Sequence, residues 1–260
     1  MRRDRKGVLY DTLPYWWESI SRIGPTDFYC FLNDLPDGNR QRAVDLFNST
    51  SVDYDYVDFG YDTDARSHAT RLGNVKGREY ERFVRSRNYV FDYANEHEYD
   101  YLFSVDSDVL VRSDSLSFLF MRPLSTITAL LVNNQIRDGL LYDKAIYNFG
   151  HKVNKEVMTQ ARGKHFKHGE IKTSHYTGAC CVIDLNFIRE HGIRYFPSVN
   201  GEDLGFCELI RKAGGTITVN CDKNQETYHI QEPWLIPGVE RYMGGGLAEE
   251  SYKIAIGARK

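Results

Sequence analysis

Two hydrophobic rhythms alternate along this chain. From Gly7 to Ile23 the apolar positions Leu9, Leu13, Trp16, Trp17, Ile20 and Ile23 return every three or four residues, the period of an amphipathic helix. Pro14 disturbs its first turns, and Gly24-Pro25 ends it. Phe28 to Leu32 (FYCFL) is a compact apolar run with the character of a buried strand, closed by the turn residues Asn33, Asp34, Pro36, Asp37 and Gly38. Arg40 to Phe47 then reads as helix and Val52 to Phe59 (VDYDYVDF) as an alternating strand, before the polar, irregular stretch from Asp62 to Gly77. A long helix from Arg78 to Glu96, with Tyr80, Phe83, Val84, Tyr89, Val90 and Tyr93 as its apolar positions, leads into a strand at Tyr101 to Val105. Strands alternating with helices predict a parallel sheet with right-handed crossovers.

The second half is less even. Asp114 to Met121 reads as a short helix, and Thr126 to Val132 (TITALLV) as a strand. Asn134 to Lys172 carries no clear period. Tyr176 to Asp184 (YTGACCVID) returns to strand character, with Gly178 and Ala179 leaving room for close approach to the backbone. A helix over Leu204 to Ala213, stopped by Gly214-Gly215, precedes the strand Thr216 to Cys221. Near the carboxyl end, Tyr252 to Gly257 (YKIAIG) is a further good strand, following the flexible triplet Gly244-Gly245-Gly246. A nucleotide-binding sheet ordinarily opens with an apolar strand, whereas this chain opens with helix signals. Tyr252–Gly257 would supply that first strand in a circularly permuted arrangement; a carboxyl-terminal edge strand or a tail fits the same residues.

Composition narrows the class. In 260 residues, 42% hydrophobic and 13% aromatic, there is material for one large domain with a substantial core. Residues 1–112 with 252–257 read as a nucleotide-binding half, 113–230 as an acceptor-binding half and 231–251 as a linker. The net charge of −3 argues against a strongly basic nucleic-acid binder. The apolar runs are too short for a membrane span of ~20 residues, and MRRDRKG lacks the apolar core of a signal peptide. Cys30, Cys180, Cys181, Cys207 and Cys221 lie in apolar surroundings, as reduced thiols of a cytoplasmic protein, bacterial or viral within a host, would.

The candidate chemistry centres on Asp106-Ser107-Asp108, at the end of the strand after the long helix. Strand alternation would turn Asp106 and Asp108 to one side, offering hard oxygens to Mg²⁺ or Mn²⁺. A solvated turn uses the same residues. Downstream lie Tyr176-Thr177-Gly178-Ala179-Cys180-Cys181, then Gly201-Glu202-Asp203-Leu204-Gly205, and last Tyr228-His229. Glu202 and Asp203 suit acceptor activation and, equally, the start of a helix. Arg71, Lys76, Arg78, Arg82, Arg85 and Arg87 crowd the segment before the Asp-Ser-Asp strand. A solvated helix face explains them, and so does contact with a diphosphate. Asp34 and Asp62 suit a base or ribose contact as well as turns. The lysines and histidines of Lys152 to His175 suit an acceptor-side loop or a solvated lid.

In their order and spacing, from about Tyr80 to His229, the D-x-D, G-A-C and G-E-D motifs and the final histidine resemble the GT-A class of nucleotide-sugar glycosyltransferases. The bacterial family-2-like enzymes and the yeast mannan-polymerase branch are the nearest patterns. The resemblance implies an α/β fold with a Rossmann-like, mixed, mostly parallel sheet flanked by helices. It implies that Asp108 binds the metal, that Asp106 contacts metal or ribose, and that His229 completes the ligand set. Donor-binding roles would fall to Asp106, Asp108, Arg85, Asp34, Asp62 and Gly178, and catalysis to Asp203 as base with Glu202 beside it. The expected donor is a nucleotide diphosphate-sugar, UDP favoured over GDP, and the acceptor a hydroxyl on a glycan, a protein or a modified DNA base. A sugar-1-phosphate nucleotidyltransferase shares this layout, and a non-catalytic carbohydrate- or nucleic-acid-binding module is the alternative outside enzymes.

Overall fold

The computed structural model describes residues 16–24, 26–33, 35, 37–50, 52–59, 76–107, 109–133, 136–137, 140–141, 149–153, 156–159, 169–198, 201–222, 225 and 227–229. A helical stretch over 16–20 comes first. Strand β1 (Tyr29–Asn33), helix α1 (Asp37–Asn48), β2 (Asp53–Val57), α2 (Lys76–Glu96) and β3 (Tyr101–Val105) follow, in the order the hydrophobic rhythm predicts. Next come β4 (Val109–Leu110), α3 (Ser115–Phe120), β5 (Ile127–Leu130) and β6 (Val132–Asn133). The stretch without a clear period holds short strands: β7 (Ile136–Arg137), β8 (Leu140–Leu141), β9 (Phe149–Val153), β10 (Glu156–Thr159) and β11 (Ile171–Thr173). The chain then forms β12 (Tyr176–Thr177), β13 (Cys180–Asp184), α4 (Leu185–Glu190), α5 (Glu202–Lys212), β14 (Ile217–Asn220) and β15 (Thr227–His229). The proposed first strand Tyr252–Gly257, the linker 231–251 and the opening of the first helix through Tyr15 lie outside the described residues.

The fold is mixed α/β. Its central sheet has the order β11-β14-β5-β13-β3, with β14 parallel to β5 and β13 antiparallel to both β5 and β3. The antiparallel β13 makes this sheet mixed, where strand–helix alternation alone suggested parallel pairing. β1 and β2 form a separate parallel pair. Central strands buried on both faces carry continuous apolar runs: all four residues of β5 are buried, as are Cys180–Ile183 in β13.

Alternation along each strand feeds two cores, one on each face. Leu130, Cys180 and Val182 pack with Leu32, Phe47, Leu110 and the helical residues Trp16 and Ile20. Ile127, Ala129, Cys181 and Ile183 pack with Phe91, Phe206, Ile210 and Val219. α4 begins at Asp184, whose carboxylate accepts the Phe187 N–H at 3.1 Å, a cap hidden in the sequence at the end of an apolar strand. All five cysteines are free and buried. No described helix is long and apolar enough to cross a membrane.

Candidate active site

Asp106 and Ser107 lie beyond the end of the strand, where the chain turns. β3 ends at Val105, and the Val109 N–H donates to the Asp106 carbonyl at 2.9 Å, turning the chain into β4. Strand alternation therefore does not by itself govern where the Asp106 side chain points. Asp106 itself is held on several sides. Its N–H donates to the Ala179 carbonyl at 2.8 Å, and its own carbonyl also accepts the Trp16 indole N–H at 3.0 Å. Its Oδ1 accepts from Arg87 at 2.6 Å. A carboxylate so clamped is fixed in place before any ligand arrives.

Arg87 comes from α2. One nitrogen of its guanidinium meets Asp106 while the other donates to the Ser104 hydroxyl at 3.1 Å, so a single fork spans the end of β3. Burial disfavours its charge, but the carboxylates of Asp106 and Asp203 outweigh that and hold its pKa well above the ordinary value. Tyr195, buried and stacked on Phe206 at 4.0 Å, lies 6.0 Å from the guanidinium. The segment that carries Tyr195 is latched to α2 at two points. Asn88 exchanges two 3.0 Å hydrogen bonds with the Tyr195 backbone, and Arg194 forks onto Asp92 at 2.6 and 2.8 Å.

Glu202 and Asp203 open α5, behind Gly201. Gly201 has φ 107°, a conformation that side-chain-bearing residues rarely adopt, and it turns the chain sharply enough to bring both acids to the cleft. Asp203 packs against Gly178 so tightly that a Cβ there would overlap its carboxylate. Burial pushes the Asp203 pKa up to about 7, with Arg87 opposing and Glu202 and Asp106 reinforcing the rise.

Between β12 and β13, the Cys180 N–H donates to the Gly178 carbonyl at 2.8 Å, forming a γ-turn around Ala179. Ala179 has φ 66°, the strained kind of γ-turn. Strain of this sort persists only where its surroundings enforce it, and it gathers at binding and catalytic sites. Here it sits beside Asp106, whose N–H its carbonyl accepts.

These groups share one cleft of about 1130 Å³, with Arg87, Asp106, Ser107, Gly178, Glu202 and Asp203 on its wall. The sites named from sequence fall as follows. Asp106, Gly178, Glu202 and Asp203 come together there. Arg85 does not join them: it lies on a half-exposed face of α2, 3.9 Å from Glu81 and over the Phe59 ring. Asp34, Asp62, Asp108 and the side chain of His229 lie outside the described residues. The backbone of His229 pairs in register with Val109, the residue after Asp108. Among the described residues, no three His, Cys, Asp or Glu side chains stand close enough to hold a metal ion. The described part of the proposed set is the Asp106 carboxylate, a hard anionic donor of the kind Mg²⁺ and Mn²⁺ take, with one oxygen engaged by Arg87.

No protein-family model matches the chain, and no curated protein matches it. Solved structures that resemble it include the inositol-1-phosphate CTP transferase from T. maritima, at 14% identity and TM-score 0.45, covering 89% of this chain and 84% of that one. S. aureus TarS 1-349 in complex with UDP matches at 13% identity and TM-score 0.47, over 90% of this chain and 61% of that one. HddC from Yersinia pseudotuberculosis matches at 13% identity and TM-score 0.45, over 97% and 85%. Likenesses this distant do not bear on what the chain does.

Three site residues escaped the sequence reading: Arg87 as the cation that meets Asp106, Trp16 as a clamp on the turn, and Tyr195. Arg87 left a signal. Val84, Phe91 and Ala94 are buried positions of α2, and Arg87 falls in phase with them, three residues after the first and four before the second. Arg85, two positions away, points elsewhere. Trp16 and Tyr195 left none, because their roles depend on contacts made across the fold.

Proposed function

We propose that this chain is a metal-dependent glycosyltransferase that moves a sugar from a nucleotide diphosphate donor to a hydroxyl acceptor with inversion. One observation supports the reading above all: Asp106, Arg87 and Asp203 meet in a single cleft, the first clamped in place, the last with its pKa raised to about 7. A general base works best when its pKa lies near the operating pH. Asp203 is that base. Its carboxylate takes the proton of the acceptor hydroxyl as that oxygen bonds to the anomeric carbon and the bond to the diphosphate breaks. Glu202 orients the acceptor beside it.

Asp106, with Asp108 and His229, would hold Mn²⁺ or Mg²⁺, and the ion would supply positive charge against the departing diphosphate. Arg87 fixes the Asp106 carboxylate and adds positive charge close to it. Gly178 leaves room for the Asp203 carboxylate beside the donor, with Asp34 and Asp62 as further donor contacts. UDP-sugars are favoured over GDP-sugars, and the acceptor is a glycan, a protein or a modified DNA base.

Calorimetric titration with UDP, GDP and CDP, each with and without Mn²⁺, tests the reading. Metal-dependent binding of one of them is expected, and its absence for all three would remove the proposal. Asp203→Asn is expected to keep donor binding and lose turnover. Release of pyrophosphate from a nucleoside triphosphate and a sugar-1-phosphate would mark a nucleotidyltransferase instead.

A further inference from the structure

The cleft is larger than a donor needs, since small-molecule sites run to about 300–1,000 Å³. Its inner part has the shape of something else. Every residue of β1 and every residue of β3 lines it. A groove over one face of a sheet touches alternate residues, whereas a gap between two strand edges touches all of them.

The two strands share one covering helix. α2 covers both, with Tyr93 stacked on Tyr29 at 3.7 Å, Tyr89 on Phe31 at 4.5 Å, and Arg87 bonded to Ser104. Tyr99, just before β3, donates to Asp27, just before β1, at 2.7 Å, so the strands start together and run the same way. Yet among the described pairings β1 bonds only β2 and β3 bonds only β13.

We infer that this gap, which no described strand fills, is a strand position in one continuous sheet, and that Tyr252–Gly257 fills it. The two walls fit that segment. One is apolar, with Cys30, Leu32, Phe103 and Val105 facing Trp16 and Ile20. The other is the α2 wall, with Ser86, Arg87 and Val90. In an extended YKIAIG, Ile254 and Ile256 share one side and Ala255 and Gly257 the other. The isoleucines complete the apolar core, and the small residues pass beneath the helix. At the rim, Tyr101 and Phe120, 43% and 47% exposed, become covered. From His229 the intervening 230–251 can extend some ~70 Å, at about 3.3 Å per residue, ample to reach the gap. The inference does not depend on the proposed transfer reaction. It leaves the cleft mouth, at Asp106 and Asp203, for the donor.

Hydrogen exchange on the full chain, without nucleotide, tests this. The amides of 252–257, of β1 and of β3 are expected to exchange together, about 100-fold or more slower than unstructured peptide. Ile254→Asp with Ile256→Asp should release all three segments, and Lys253→Asp should release none. Exchange of 252–257 at the unstructured rate in the unsubstituted chain would overturn the inference, whatever the variants do. So would protection of a segment within 1–15 in its place, or protection of β1 and β3 that arises only when UDP is added.

Discussion

The carboxylate of Asp203 occupies the space a side chain at position 178 would need: a Cβ on Gly178 would stand 2.8 Å from its Cγ. The glycine is required by that approach, and the acid is held where it is because the glycine has no side chain. Gly178→Ala should therefore displace Asp203 rather than merely crowd the turn. A shift of about 1 Å at a reacting group costs on the order of 100-fold in rate. We expect a fall in kcat of roughly that size, with overpacking costing about 1–3 kcal/mol of stability. Steady-state kinetics beside urea unfolding checks it, and an alanine variant with unchanged kcat would detach Asp203 from the chemistry.

Arg87 makes a different kind of link, one fork on two partners at the end of β3. Replacing it by Met leaves the Asp106 carboxylate without its cation and Ser104 without its donor. Hydrogen bonds to charged groups contribute about 1.5–3 kcal/mol each, so with two of them lost chemical denaturation should show a fall of roughly 3–6 kcal/mol. Arg87→Lys should recover little of it, because an ammonium cannot reproduce the planar fork. Donor affinity should fall in both variants. Equal affinity in wild type and Arg87→Met would mean that the cation serves folding alone.

The raised pKa of Asp203 carries opposite signs for activity and stability. The base must be ionised, so kcat should rise as pH rises through about 7. The folded chain holds the Asp203 proton more tightly than the unfolded chain does. That contribution to stability is fully present below the ordinary carboxylate range and is lost as pH rises from there through about 7. Asp203→Asn should flatten the stability profile across this window, measured in chelator, while the rise of turnover with pH is followed in the unsubstituted chain in Mn²⁺. A wild-type stability profile that already matches that of Asp203→Asn would show that the carboxyl titrates normally.

Much of this arrangement was legible in the hydrophobic pattern, and the exceptions share a cause. β1, β3 and β14 announce themselves as compact runs rich in apolar and β-branched residues, and α2 by its helical period. α4 was not seen, since its six residues continue directly from β13 and its cap, Asp184, reads as the end of a strand. Between Asn134 and Lys172, β7 and β8 are two residues each, and β9 (FGHKV) and β10 (EVMT) mix charged with apolar residues, so no apolar run marks them. Of the residues on the cleft wall, those placed by local chemistry are legible in the sequence: Asp106 at a strand end, Gly178 in a turn, the acids opening α5. Residues fixed by tertiary contact are not. Arg85 was preferred to Arg87 because both are basic and close in sequence, although helical phase puts only the second on the buried stripe.

Ala179 is the most direct test of whether the site is strained by design of the fold. In a buried strand, Ala→Gly costs about 0.5–1 kcal/mol, because glycine loses more freedom on folding. Ala129, central in β5 and fully buried, should behave that way. At position 179 the sign should weaken or reverse, because φ 66° costs a residue with a side chain about 1–3 kcal/mol and costs glycine almost nothing. Thermal unfolding of Ala179→Gly should thus give a Tm equal to or above that of wild type, while Ala129→Gly lowers it. Turnover should move the other way. The γ-turn carbonyl receives the Asp106 N–H, so a looser turn frees the clamped carboxylate, and kcat should drop even as the fold gains. If Ala179→Gly costs as much stability as Ala129→Gly, the turn is not strained, and the rigidity of Asp106 must come from Arg87 and Trp16 alone.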